Sequence, residues 1–223
     1  MASTIVQIEN LVKRYGDLVA LDHLNLNISE GEVFGLLGPN GSGKTTAINC
    51  MLSLLKYDKG AIRIFGEEMR PDNYSVKQQI GIVLQNVAVF DELTVFENID
   101  YFCGLYIPDK KKRKELVEEA IAFTGLEDYR QKRPKKLSGG LLRRLNIACG
   151  IAHKPRLIIM DEPTTALTKK EVSALFKIIL KLKEQGIAIL FISHKLDEVF
   201  EISDRFTIFR DGELVATGST KEL

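Results

Sequence analysis

The sequence has no surplus of charge of either sign. Thirty-one Lys and Arg residues stand against 30 Asp and Glu, a formal net charge of +1. No long-range field therefore draws the chain toward nucleic acid or anionic lipid, and any partner must be recognised locally. Long apolar runs are also missing, since none approaches the roughly 18 residues that a membrane span needs. The opening MASTIVQIEN has no basic stretch leading into an apolar one, which excludes a secretory signal there. Cysteine is scarce: Cys50, Cys103 and Cys149 are an odd number without metal-ligand spacing, so they read as reduced, mostly buried thiols without a chemical role. Internal repeats and low-complexity linkers are absent. What remains is a chain of 223 residues, 45% of them hydrophobic, enough to build the core of one large domain or two small ones. The expectation is a cytosolic globular protein that does not itself cross a membrane.

Leu24, Leu26 and Ile28 alternate with Asn25 and Asn27, the pattern of a half-buried strand in an N-terminal antiparallel layer over roughly residues 3 to 30. The pattern then changes. EVFGLLG, IGIVLQ, RLIIMD and IAILFIS are short and almost wholly apolar, as strands of a parallel sheet covered on both faces are. Between about 88 and 155, TVFENIDYFCGLY and KKRKELVEEAIAFTGL interrupt the strand series with helical patterns, which predicts a helical lobe inserted into an α/β core.

GPNGSGKTT, residues 38 to 46, follows the strand EVFGLL and precedes the helix-like TTAINCMLSLL. This is the G-x-x-x-x-G-K-[ST] pattern in its strand-to-helix context. Gly38, Gly41 and Gly43 let successive N–H groups turn toward phosphate oxygens, and a helix N-terminus adds partial positive charge. Lys44 supplies a cation for the β- and γ-phosphates and Thr45 a hydroxyl for Mg2+, with Asn40, Ser42 and Thr46 completing the loop. RLIIMDE, residues 156 to 162, ends a buried strand on two carboxylates that repel each other unless a cation joins them. Asp161 suits Mg2+ through water, and Glu162 suits orientation of the attacking water. Gln85, closing IGIVLQ, offers an amide to the metal or the water. His194, closing IAILFISH, offers a donor to the γ-phosphate.

GPNGSGKTT, Gln85, LSGG, IIMDEP and Ser193–His194, in that order and over nearly the whole chain, resemble the ATP-binding subunit of an ABC transporter. The resemblance implies an α/β fold: a P-loop NTPase core with a mainly parallel sheet, an N-terminal antiparallel β layer and an inserted helical subdomain. It implies one ABC-type ATPase domain over residues 1–223, with the α/β core at about 1–87 and 156–223 and the helical subdomain at about 88–155. It further implies a head-to-tail dimer around two ATP, in which Ser138, Gly139 and Gly140 of one subunit cover the γ-phosphate held by Lys44 of the other. By the same resemblance Tyr15 stacks on adenine, and Gln85 links the site to a surface for transmembrane subunits. The protein would then sit on the inner face of the cell membrane through those subunits. The basic runs PDKKKRKE and RQKRPKK contain no aromatic platform and read as solvated surface, so no nucleic-acid partner is expected.

The signature of this family usually continues with Gln, where this chain has Leu141 and Leu142, and the loop after DEPT usually carries Asp, where this chain has Thr168. Thr168 stands three residues before Glu171, the spacing of a capping box, and by sequence alone an Asp there would cap equally well. The two ends resemble different branches. Residues 1 to about 165 are similar to ATPases of drug or export systems, and the stretch from about 162 to 217 to the first ATPase half of monosaccharide importers. The alternative to a transporter subunit is thus an engineered or mosaic ABC ATPase domain that folds and binds ATP but has no physiological membrane partner and poor turnover. An ABC ATPase of chromosome maintenance or translation would bring a long heptad insertion or a second phosphate loop, and neither occurs.

Overall fold

The computed structural model describes residues 3–220; the outermost ends of the expected domain lie outside them. The chain opens with two long antiparallel strands, β1 (Thr4–Tyr15) and β2 (Leu18–Ser29). As the alternation predicts, Leu24, Leu26 and Ile28 are buried while the asparagines between them face outward. Next come β3 (Val33–Leu37), α1 (Lys44–Met51), β4 (Lys59–Ile64), the short β5 (Glu67–Glu68), α2 (Tyr74–Lys77) and β6 (Ile80–Val83). The strand series is then interrupted by α3 (Val95–Gly104), α4 (Lys110–Thr124) and α5 (Gly139–Ile151), with two 3-10 turns at Glu127–Tyr129 and Pro134–Lys136. The chain closes with β7 (Leu157–Asp161), α6 (Lys169–Glu184), β8 (Ala188–Ser193), α7 (Leu196–Ile202), β9 (Arg205–Arg210) and β10 (Glu213–Ser219).

Two sheets result. The antiparallel one runs β2-β1-β4-β5 and the six-stranded one β10-β9-β3-β8-β7-β6, all parallel except β10 on β9. β3 and β8 are buried at every position, as apolar runs without alternation require in a sheet covered on both faces. At the edge strand β6 the pattern departs from that expectation, because Ile82 is 40% exposed. Strands β4, β9 and β10 have no counterpart in the sequence reading. The β9–β10 hairpin turns at Asp211–Gly212, both with positive φ (51° and 83°), the residue pair such a tight turn selects.

Period-2 geometry divides the core. Leu157 and Ile159 of β7 pack with α1 and the antiparallel sheet, while Ile158 and Met160 pack with α5 and α6 on the other face. A third apolar cluster, built on Ile99, Val117, Ile121 and Leu145, joins α3, α4 and α5. Capping fixes where the helices start. Thr94 with Glu97 and Thr168 with Glu171 form reciprocal capping boxes on α3 and α6, and Ser138 caps α5 by accepting from the Leu141 N–H. No helix among the described residues is long and apolar enough to cross a membrane.

Candidate functional site

Three neighbouring strands of the parallel sheet end at one edge, with Leu37 of β3 level with Ser193 of β8 and Asp161 of β7 level with Ile192. This places the glycine loop, the carboxylate pair and His194 side by side, at the strand ends where α/β sheets bind ligands. The loop enters α1 at Gly43, whose φ is 106°. A Cβ there would lie 2.6 Å from the Ala20 carbonyl oxygen and 2.8 Å from Phe209 Cε1, so both conformation and space require glycine. Lys44 is 6% exposed and folds back over its own loop, where Nζ donates to the carbonyl oxygens of Gly38 (2.7 Å) and Pro39 (2.9 Å). Burial lowers its pKa, opposed by the charges of Glu162 and Asp161.

Burial raises the pKa of Asp161, with Glu162 adding to the rise and Lys44 opposing it. A second carboxylate beside it makes a bound cation more favourable still. Glu162 is 8% exposed and holds a backbone φ of 44°, a left-handed conformation that costs energy for a non-glycine residue and is common at functional sites. Its carboxylate lies 3.0 Å from His194 Nδ1, and it accepts long hydrogen bonds from Gln85 Nε2 (3.5 Å) and Thr165 Oγ1 (3.4 Å).

Above these groups opens a cleft of about 510 Å3. Of the expected site residues, Tyr15, Asn40, Gly41, Gly43, Lys44, Thr45, Thr46, Gln85, Asp161 and Glu162 line it. Gly38 and Ser42 do not: Gly38 supplies a carbonyl to Lys44, and Ser42 lies 2% exposed behind the loop. His194 meets Glu162 from outside the lining. Ser138 and Gly140 line a different, small hollow beside Leu141, Leu167 and Glu171; with Gly139, at the start of α5, they are not part of the Lys44 cleft.

A second cavity, of about 380 Å3 and mostly apolar, lies between β6, α1 and the helical lobe. Leu54, Ile82, Leu84 and Leu105 line it, each at least 40% exposed. His153 and Tyr106 also line it, their rings stacked at 4.0 Å. Thr45 and Asp161 line both this groove and the cleft.

Some groups at the site were not found from the sequence. Asp211 and Gly212 of the β9–β10 turn line the cleft. Arg143, 5% exposed on α5, donates to the carbonyl oxygens of Leu84 (2.8 Å) and Gln85 (2.7 Å), and Asn146 donates to Leu84 as well. The placement of Gln85 is therefore set by a helix that begins at the LSGG turn.

A glycine loop bearing a buried lysine, set beside a strand-end carboxylate pair in a mainly parallel sheet, defines a P-loop ATPase domain. The chain belongs to the ABC transporter family, whose model matches residues 21–165. It is 34% identical to the linearmycin resistance ATP-binding protein LnrL of Bacillus subtilis, over 98% of this chain and 70% of that protein. It is 35% identical to the galactose/methyl galactoside import ATP-binding protein MglA of Clostridium perfringens, over the whole chain but 44% of that protein. The bacterial ABC transporter cassette MJ0796, solved as a dimer, superposes with a TM-score of 0.85 at 28% identity, over 97% of this chain and 99% of that one. Drug-resistance and sugar-import relatives thus match at nearly equal identity over nearly the whole chain, and neither favours a mosaic over an ordinary family member.

Proposed function

We propose that the chain is the ATP-hydrolysing subunit of an ABC transporter, which dimerises head to tail around two ATP and drives separate membrane subunits. One observation carries the dimer: Lys44, Asp161 and Glu162 share a cleft from which the Ser138–Gly140 turn of the same chain is absent. Only a second copy can bring that turn, which lies at a helix N-terminus, over the phosphates. Lys44 exchanges its two carbonyl partners for phosphate oxygens, and Tyr15 offers its half-exposed ring to adenine.

Glu162 holds the attacking water by its carboxylate, which His194 and Gln85 orient. The donor set suits Mg2+: the Thr45 hydroxyl, the Asp161 carboxylate and the Gln85 amide would offer it oxygens from the lining of the cleft, few enough that phosphates and waters would complete the shell. Bound there, the ion would offset the charge of the β- and γ-phosphates. The apolar groove is the surface for a membrane subunit, which would hold the protein at the inner face of the membrane. In this reading residues 1–223 form one ATPase domain with a helical subdomain at about 88–155.

Two substitutions test the site. Lys44→Ala removes the buried cation that faces phosphate, so Mg-ATP affinity measured by calorimetry should fall by a few kcal/mol, roughly a hundredfold or more. Glu162→Gln should keep that affinity, slow hydrolysis by roughly two to four orders of magnitude, and elute from gel filtration as an ATP-dependent dimer. Normal turnover in Glu162→Gln, or unchanged affinity in Lys44→Ala, refutes the assignment.

A further inference from the structure

Glu171 uses one carboxylate to tie two loops together. Oε2 accepts from the Thr168 N–H (2.9 Å) and the Thr168 hydroxyl (2.8 Å), closing the cap of α6. Oε1 accepts from the Gly140 N–H at 2.9 Å. That N–H is among the first of α5 and has no partner within its own helix. Ser138 Oγ takes the next one along, that of Leu141. The bonds from Thr168 are the larger cause, and the one from Gly140 a smaller one, of a Glu171 pKa held below the usual carboxylate range. The fit is close on the glycine side as well. A Cβ on Gly140 would lie 2.5 Å from Glu171 Oε1 and 2.7 Å from its Cγ, inside any real contact. Hence a side chain at the second glycine of LSGG would displace Glu171 from its bond to the turn, independently of any nucleotide.

With Gly140 engaged, the donors that the turn still offers outward are the Ser138 hydroxyl, whose oxygen is the acceptor in its own cap, and the Gly139 N–H. Their direction depends on how the first turn of α5 sits against the loop Thr164–Thr168. Glu171 is the side chain that bonds both.

We infer that Glu171 is a positioning residue for ATP hydrolysis, which holds the Ser138–Gly140 turn and the loop ending at Thr168 in one register so that both meet a second copy together. This rests on the head-to-tail dimer proposed above. Glu171 touches neither nucleotide nor water in this reading; it acts through Gly140 and Thr168. A glutamine at 171 keeps the size and one carbonyl acceptor, but its NH2 group cannot accept, so one of the two ties is lost.

The test uses the Glu162→Gln chain as the dimerising background and adds Glu171→Gln, Gly140→Ala, and both together. Losing a hydrogen bond to a charged group should weaken ATP-dependent dimerisation, read by analytical ultracentrifugation, by about tenfold. Mg-ATP affinity of the monomer should stay within about twofold, since the Lys44 cleft is separate. Because Gly140→Ala and Glu171→Gln each break the bridge between the two loops, the first at its Gly140 end and the second at one end or the other, the double variant should be little worse than either single one. In the otherwise wild-type chain, Glu171→Gln should lower kcat at fixed protein concentration with KM unchanged. Undiminished dimerisation of Glu171→Gln overturns the inference alone. Additive losses, or a parallel fall in monomer ATP affinity, also overturn it, by showing separate or general structural roles. Failure of the Glu162→Gln background itself to dimerise overturns the dimer and the inference with it.

Discussion

His153 shows how far a single residue can depart from its usual chemistry. Its ring is 8% exposed and stacked on Tyr106; Nε2 meets the Ile80 carbonyl oxygen, and Nδ1 has no partner among the described residues. Burial pushes its pKa from 6.5 down to about 4, only partly offset by the Ile80 bond. Between those values the unfolded chain takes up a proton that the folded chain refuses. The resulting stability is complete above about pH 6.5 and is lost as the pH falls toward 4, by about 2 kcal/mol between pH 7 and pH 5. Urea midpoints measured at the two pH values should therefore fall further for the wild-type chain than for His153→Phe, which keeps a ring on Tyr106 but cannot titrate. Equal falls would show that the imidazole does not bear on acid stability. The three cysteines need no such account, since all are buried and burial raises each thiol pKa, that of Cys50 and Cys103 to about 11.

Among the elements, α6 depends on its first turn. Thr168→Ala removes a cap that both donates and accepts, and should cost about 1 kcal/mol in chemical denaturation. The structure changes the expectation for Thr168→Asp. Since the Thr168 hydroxyl donates to Glu171 Oε2 at 2.8 Å, an aspartate would set carboxylate against carboxylate. It should be destabilising at neutral pH and recover as the pH is lowered, whereas equal stability with threonine at pH 7 would show that Glu171 turns away at no cost. Which elements could be read in advance follows from where their partners lie. β3, β7 and β8 were legible because burial on both faces leaves nothing but apolar residues, and the α6 cap because its two residues are three apart. The β9–β10 hairpin carries its signal in the Asp211–Gly212 turn and not in a continuous apolar run. Arg143 and the second bond of Glu171 could not be found that way, because they engage backbone groups of Gln85 and Gly140, 58 and 31 residues distant; a peptide carbonyl or N–H leaves no mark in the side-chain pattern. The glycine loop and the Asp161–Glu162 pair were readable because their geometry is local, while the separation of the Ser138–Gly140 turn from the cleft emerges only once α5 is placed.

For the molecule as a whole, the cleft and the groove share two lining residues, Thr45 and Asp161. Residues that face both chambers would work like a diaphragm: where they shift to meet a ligand in one, the other changes shape with them. It also makes the groove a place from which to observe the cleft optically. The chain contains no tryptophan, so one introduced at Leu105, 61% exposed on the groove, would be its only indole and would emit without background. Adding Mg-ATP should shift the emission of Leu105→Trp saturably, with the midpoint tracking calorimetric affinity, and Lys44→Ala should abolish the response. An emission spectrum indifferent to nucleotide would mean that the diaphragm is rigid and that the two chambers communicate by some other route.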